Sequence, residues 1–334
     1  MLEHGGRLRA ASVRWGIPLS DWLDLSTGIA PWPYPLPAVP PAVWQRLPEE
    51  GDGLEAAAAA YYGTSDILML PGSQLAIQTL PRLLPAGRVR MVLPLYQEHP
   101  AAWQAAGHHL VTTEDAPADY AVVCRPNNPT AIFPDLGALL ECARQVRLLV
   151  VDEAFIDAAT NAAGQPLPSM MAQLAEGSGN IVVLRSLGKF FGLAGLRLGC
   201  LSGPPQLMTR LRHELGPWAV SHPARWAARL ALTDLAWQQQ QRQRLQQAAQ
   251  RLADLLQHSG LWDSHRLSRS ERSPALGGAL FCYCPHPRAG QIQDALAQRG
   301  ILVRHFDSPA ALRFGLPATE TDWQRLTTAL QEIA

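Results

Sequence analysis

The sequence predicts an α/β protein: a large domain whose mostly parallel sheet is sandwiched by helices, followed by a smaller C-terminal α/β domain. Three observations predict it. Short apolar runs alternate with helical stretches from about residue 54 to residue 204, the pattern of strands joined by helical crossovers. Asn128, Asp152, Ser186 and Lys189 follow or end successive runs, at the strand ends where open α/β sheets bind ligands. Beyond residue 204 the order changes to long helices and then short strands and helices. A chain of 334 residues is about twice a typical domain, which fits two such units.

Residues 1–40 read as an N-terminal arm, rich in proline from Pro18 to Pro40, with a helix near Leu8–Trp15. The arm is expected to pack on the small domain and the active site. The large domain is expected over 41–204 and the small one over 205–334. Alanine dominates Leu54–Tyr62 and predicts a helix. Pro71-Gly72-Ser73 reads as a turn into a helix over Gln74–Leu84. Val89–Leu93 is an apolar run, Pro100–Ala106 a helix, and Tyr120–Cys124 a strand closed by Pro126-Asn127-Asn128-Pro129. A helix over Leu136–Arg144 precedes a strand over Arg147–Val151 that runs into Asp152. Ile181–Leu184 is a strand ending at Arg185-Ser186. Helices follow over Pro205–Leu215 and, as one long element, Pro223–Leu256, where Leu230, Leu245, Leu252 and Leu256 keep helical spacing. The chain closes with strand Ala279–Cys284, helix Gln291–Gln298, strands Ile301–His305 and Ala311–Phe314, and helix Thr321–Ile333.

Composition narrows the function classes. Lys+Arg and Asp+Glu both total 28, so no excess of charge points to a nucleic-acid or anionic-membrane partner. Hydrophobic residues make up 47% and charged ones 17%, against disorder, and no apolar stretch reaches the ~18 residues of a membrane span. Five cysteines without paired spacing predict no disulfide framework; Cys282 and Cys284 read as ordinary thiols of a strand. Met1-Leu2-Glu3-His4-Gly5-Gly6 lacks the basic-then-apolar pattern of a secretory leader. The expectation is a soluble, cytoplasmic protein. His108-His109 and His213-Glu214 lack metal-ligand spacing and read as solvated; no metal site is expected.

Of the 28 basic residues 27 are arginines, and the one lysine is Lys189. Arginine stays protonated, whereas a lysine amine can become a nucleophile. Around it runs Ser186-Leu187-Gly188-Lys189-Phe190-Phe191-Gly192-Leu193-Ala194-Gly195-Leu196-Arg197. Ser and Arg are phosphate ligands and glycine lets backbone approach a ligand. An amine among phosphate ligands points to a phosphorylated carbonyl cofactor, pyridoxal phosphate, held as a Schiff base. A P-loop would need glycine at 183 and Ser or Thr at 190, where Val183 and Phe190 stand. The Ser-x-x-Lys pair of penicillin-binding enzymes needs a second lysine, in Lys-Thr-Gly, that this chain lacks.

The run from Ser186 through Gly188-Lys189, Gly192-Leu193 and Gly195-Leu196-Arg197 to Gly199 resembles the lysine motif of the fold-type I pyridoxal-phosphate family, of the class I/II aminotransferase type. Asn128-Pro129-Thr130 belongs to the same pattern. His4-Gly5-Gly6, Leu25-Ser26-Thr27-Gly28-Ile29 and Asp152-Glu153-Ala154-Phe155-Ile156-Asp157 resemble its L-threonine-O-3-phosphate decarboxylase branch, a relative of histidinol-phosphate aminotransferases. The similarity covers essentially the whole chain. It implies that Lys189 bonds the cofactor and shuttles protons, and that Asp152 pairs with the pyridinium nitrogen. It implies that Asn128 reaches the ring oxygen and that Tyr96 stacks on the ring, with Phe155 close by. Gly72, Ser73 and Gln74, with Ser186 and Arg197, would hold the phosphate. Arg313 would grip the substrate carboxylate and Arg304 the substrate phosphate, while His4 and the loop at Gly28 close over the substrate. The resemblance further implies a homodimer with its active sites near the interface. The expected activity is decarboxylation of L-threonine O-3-phosphate to (R)-1-amino-2-propanol O-phosphate in cobalamin biosynthesis, with histidinol-phosphate-type transamination as the alternative.

Three positions depart from that pattern. Leu47-Pro48-Glu49 stands where relatives carry a Tyr-Pro-Asp whose tyrosine reaches the partner's cofactor, a role Tyr61 or Tyr62 could take over. Ala30-Pro31 replaces Asn-Pro, and Phe155 stands where transaminating relatives carry tyrosine.

Overall fold

A computed structural model of the chain describes residues 3–113, 116–161, 163–174, 179–261 and 279–333. Its strands are β1 (Leu23–Leu25), β2 (Leu68–Leu70), β3 (Arg88–Arg90), β4 (His109–Val111), β5 (Tyr120–Cys124) and β6 (Leu148–Asp152). They continue with β7 (Ile181–Ser186), β8 (Gly199–Ser202), β9 (Phe281–Pro285), β10 (Ile301–Asp307) and β11 (Ala310–Gly315). The helices before β7 are α1 (Leu8–Trp15), α2 (Pro41–Gln45), α3 (Leu54–Tyr62), α4 (Ser73–Thr79), α5 (Glu98–Ala105), α6 (Leu136–Gln145) and α7 (Met170–Gln173). After it come α8 (Leu187–Phe190), α9 (Pro205–Leu215), α10 (His222–Thr233), α11 (Leu235–His258), α12 (Ala289–Gln298) and α13 (Glu320–Ile333). No described helix is long and apolar enough to cross a membrane.

Seven strands form one sheet in the order β2-β8-β7-β6-β5-β3-β4. Only β8 runs against its neighbours, antiparallel to both β2 and β7. Strands β5, β6 and β7 pair in parallel at the centre and are buried on both faces, which is why they read as unbroken apolar runs. Successive side chains alternate between two cores. Ala121, Leu149, Val151, Ile181 and Val183 enter the larger core. That core continues through α3, α6, α10 and α11 into the second sheet, at Phe281, Val303, Leu312 and Phe314. Tyr120, Val122, Cys124, Leu148, Val150, Val182 and Leu184 enter the other core, closed by α4, α5 and α9. The second sheet has the order β1-β10-β11-β9, so the arm contributes β1, parallel to β10.

Local chemistry explains where the structure departs from the sequence expectation. The helix expected over Gln74–Leu84 is α-helical only to Thr79, and Leu80–Leu83 is a 3₁₀ turn; Pro81 has no amide hydrogen to continue the ladder. The single helix expected over Pro223–Leu256 is two, α10 and α11, broken at Asp234. The Asp234 carboxylate caps α11 by accepting from the Trp237 amide at 3.0 Å and also receives the Tyr34 hydroxyl. His108 is not solvated: it is buried against Trp103 and Tyr120, with Nε2 3.0 Å from the Pro81 carbonyl. Strands β1, β2, β4 and β8 are only three or four residues long, too short to register as runs.

Candidate active site

The carboxyl ends of β5, β6 and β7 open on a cavity of about 420 Å³. Fourteen residues singled out in the sequence line it: His4, Gly28, Gly72, Ser73, Gln74, Tyr96, Asn128, Asp152, Phe155, Ser186, Lys189, Arg197, Arg304 and Arg313. The large sheet and the residues after its strands form the floor and one wall; β10, β11 and the arm form the other.

Lys189 sits on the short α8 that follows β7, so the strand delivers it to the cavity. Its amine hydrogen-bonds to no other described residue and lies 5.5 Å from the Phe155 ring centre. Burial first, then the Arg313 charge, pull its pKa down to about 8, with Asp152 opposing. The amine is therefore poised between acid and nucleophile.

Asp152 ends β6 on the face covered by α5. Its Oδ1 accepts from the Ala154 amide at 3.0 Å and its Oδ2 lies 2.9 Å from Nε2 of the fully buried His99. His99 has no sequence signal: it is one histidine of a helix more than fifty residues upstream, and only the crossover of α5 brings it under β6.

A group of anion ligands surrounds the start of α4. Ser186 is registered opposite Gly199 on β8. A Cβ at Gly199 would lie 2.6 Å from the Arg185 carbonyl and 2.7 Å from the Ser73 amide nitrogen, so glycine is required for β8 to reach α4. Gly72, at φ +82°, leaves room for the Arg197 guanidinium, which would stand 2.9 Å from a Cβ there. Arg197 itself holds the left-handed conformation at φ 53°, costly for a side chain this size and typical of residues held for function. Among the described residues its guanidinium hydrogen-bonds only to the Ala194 carbonyl, at 3.3 Å, and pairs with no carboxylate. The hydroxyls of Ser73 and Ser186 make no side-chain hydrogen bond among the described residues.

On the opposite wall Arg313 and Arg304 are cross-strand partners on β11 and β10. Two like charges directly opposite are destabilising without an anion between them. Arg313 donates to Asn128 Oδ1 at 2.5 Å and to the Ser26 carbonyl at 2.9 Å, while its buried Nε finds no partner among the described residues. Burial, then the Arg304 charge, draws its pKa down to about 10. Arg304, the residue expected to meet the substrate phosphate, lines the cavity and donates to the Glu3 carbonyl at 2.8 Å and to the Glu3 carboxylate at 3.3 Å. The arm is tied to both walls, because His4 meets Glu98 at 2.6 Å and Glu98 also receives Gln74 at 2.7 Å. Tyr96 donates to Gln74 at 3.1 Å. Gly28 is fixed by bulk: a Cβ would stand 2.8 Å from Phe155 and 2.9 Å from Phe281, two rings packed edge to face.

Tyr61 and Tyr62 do not reach this cavity. Tyr61 donates to Asp157 at 3.0 Å and Tyr62 is buried in the larger core. Behind the strand ends lies a further cluster that sequence reasoning missed. Arg125 donates to Glu153 at 3.0 Å, Arg185 pairs with Asp157 and reaches Glu153, and Ser169 donates to Glu153 at 2.5 Å. Its one signal was charge placed inside or immediately after apolar strands.

An open α/β sheet with a nucleophilic lysine, a buried carboxylate and an anion pocket at its carboxyl edge defines a lysine-dependent enzyme of the aminotransferase kind. The chain belongs to the aminotransferase class I and II family, whose model matches residues 51–332. It is 49% identical to a threonine-phosphate decarboxylase of Pseudomonas aeruginosa, over 99% of this chain and 97% of that one. A threonine-phosphate decarboxylase of a Sinorhizobium species is 40% identical over 99% and 98%. Among solved structures, histidinol-phosphate aminotransferase from Sinorhizobium meliloti, in complex with pyridoxal-5'-phosphate, superposes with a TM-score of 0.80 at 21% identity, covering 100% of this chain and 96% of that one.

Proposed function

We propose that this protein is a pyridoxal-phosphate-dependent decarboxylase that converts L-threonine O-3-phosphate to (R)-1-amino-2-propanol O-phosphate, the step that its resemblance assigns to cobalamin biosynthesis. The observation that carries the reading is the presence of two anion stations around one amine: Arg197 with Ser73 and Ser186 on one wall, Arg304 with Arg313 on the other, and Lys189 under the charge of both. A cofactor phosphate and a doubly anionic substrate would occupy them. The full-length similarity to threonine-phosphate decarboxylases supports this choice of substrate.

The residues present fit the cofactor. The unpaired donors of Arg197, Ser73 and Ser186 suit a phosphate, and the glycines at 72 and 199 leave the space it needs. Pyridoxal phosphate, when bound, supplies an electron sink for the pair left at the α-carbon when carbon dioxide departs. The chain does the rest. Lys189 Nζ holds the cofactor and then returns a proton to the α-carbon. Asp152, fixed through both oxygens, keeps a proton on the ring nitrogen. Asn128 accepts from Arg313 through Oδ1, which leaves its Nδ2 to donate to the ring oxygen. Arg313, braced by Asn128 and Ser26, orients the carboxylate, and that orientation decides which bond at the α-carbon breaks. Phe155, backed by the buried Phe281 ring, gives the cavity an apolar face beside Arg313 that excludes water from the departing carboxylate.

The protein acts as a homodimer in the cytoplasm. Its five cysteines are free thiols, as in a reducing compartment, and Trp44, Leu47 and Trp218 expose apolar surface suited to a second copy. The test is carbon dioxide release from L-threonine O-3-phosphate by cofactor-loaded protein without a 2-oxo acid. Catalytic release is expected. Turnover that appears only when a 2-oxo acid is added would instead establish the histidinol-phosphate-type transaminase.

A further inference from the structure

We propose that the floor of the cavity is a binding site for a soft divalent cation, Zn²⁺ or Co²⁺, held by His99, Cys124 and Asp152 in the cofactor-free chain. The site follows from register. Cys124 and Asp152 end adjacent parallel strands as direct partners, Cys124 opposite Asp152. Both fall on the face covered by α5, which lowers His99 onto them. A ring nitrogen of His99, the Cys124 Sγ and a carboxylate oxygen of Asp152 all lie within 4.8 Å of one another, and all three residues are buried. Ligands of a tetrahedral zinc ion sit about 3.4 Å apart, given metal–ligand bonds of about 2.0–2.3 Å. The present 2.9 Å between His99 and Asp152 has to open by a few tenths of an ångström, and any longer separation, up to the 4.8 Å span of the set, has to draw in around the ion.

The donor set chooses the metal. Imidazole, thiolate and one carboxylate suit Zn²⁺ and Co²⁺ and not the oxygen-seeking Mg²⁺ or Ca²⁺. Burial and the Asp152 charge disfavour a bare thiolate at Cys124, so it is the charge of a bound cation that would sustain it, with the backbone amides of Tyr96 and Asn128 already aimed at the sulfur. On binding, the cation takes the place of the proton between His99 and Asp152, the ring proton passes to His99 Nδ1 by exchange with solvent, and Cys124 gives up its thiol proton to solvent. Cys124 and Asp152 face the cavity, so a water completes the fourth position. Asp152 cannot serve the cation and the cofactor ring together, so the two ligands exclude each other.

The experiment titrates CoCl₂ into the full-length protein stripped of cofactor, with ZnCl₂ as competitor, and follows the thiolate-to-cobalt charge-transfer band and the tetrahedral visible bands. One Co²⁺ per chain, displaced by Zn²⁺, is expected. Cys124→Ser is expected to remove the charge-transfer band and weaken binding more than tenfold, while Cys142→Ala, at a half-buried thiol outside the cavity, leaves both unchanged. Protein preloaded with pyridoxal phosphate should take up no Co²⁺, a comparison that needs no variant to fold. Substoichiometric binding, a band that survives Cys124→Ser, or full uptake by the preloaded protein would overturn the proposal. The exclusion arm rests on the cofactor reading and the metal arm does not. A chain that binds Co²⁺ through Cys124 but never gains the absorbance of a lysine-bound cofactor would sink only the former.

Discussion

Lys189 is the one lysine of the chain, and its environment sets a testable pH dependence. In the unfolded chain a lysine keeps its proton to about pH 10.4. In the fold the amine releases it near pH 8, because burial and the arginines disfavour the charge. Between those values the unfolded chain binds more protons, so stability rises with pH across that window; below pH 8 the penalty is constant. Lys189→Met should therefore raise the Tm of the cofactor-free protein by roughly 4 °C at pH 7, and the gain should vanish toward pH 10.5. A gain that persists at pH 10.5 would mean that packing, not charge, was responsible. The same variant should trap no cofactor on borohydride reduction, whereas the wild type traps one per chain on the Lys189 peptide. At this scale the sequence was most legible. A lone lysine among 27 arginines, with serine three residues before it and arginine eight after, carries its own chemistry. His99 and Glu98 were illegible because their partners, Asp152 and His4, are distant in sequence and meet them only across the crossover and the arm.

At the scale of the element, the contact between β8 and α4 shapes the anion pocket. Gly199→Ala would set a methyl group against two backbone atoms that cannot move aside separately, the Arg185 carbonyl and the Ser73 amide nitrogen. Strand β8 must then shift away from α4, and Ser186, its register partner, shifts with it. Affinity for pyridoxal phosphate should fall more than tenfold in a fluorescence titration, with a smaller loss of thermal stability; unchanged affinity would remove this contact from the pocket. The strands β5, β6 and β7 were readable because burial on both faces makes them continuous apolar runs. The break between α10 and α11 was not, since Leu230, Leu245, Leu252 and Leu256 keep helical spacing across Thr233-Asp234, and the cap that Asp234 makes shows only in the fold.

Two predictions belong to the whole molecule. Glu153 is fully buried and holds Arg125, Arg185 and Ser169 across the ends of three strands and the start of α7. Glu153→Gln leaves two buried guanidinium groups short of a counter-charge and should cost about 3–5 kcal/mol in urea unfolding. A cost below about 1 kcal/mol would show that Asp157 alone balances the cluster. Trp218 exposes its ring beyond α9 and, with Trp44 and Leu47, offers exposed apolar surface. Trp218→Glu should shift sedimentation from dimer toward monomer; an unaltered dimer would place the interface elsewhere.

The sequence by itself determined the chemistry-bearing residues and the alternation of strand and helix, because both are local: residue type sets reactivity, and period sets the buried face. Tertiary structure alone decided what those residues do to one another. Lys189 owes its lowered pKa first to burial and then to Arg313, more than a hundred residues away and carried in by the second sheet. Arg313 and Arg304 became neighbours through strand pairing, and Asp152 gained His99 and Cys124 through a crossover and a register. Tyr61 and Tyr62 were withdrawn to the interior by the packing of α3. Charge coupling and burial act through space, and which parts of the chain share that space is fixed only when the two sheets and the arm close around the cavity.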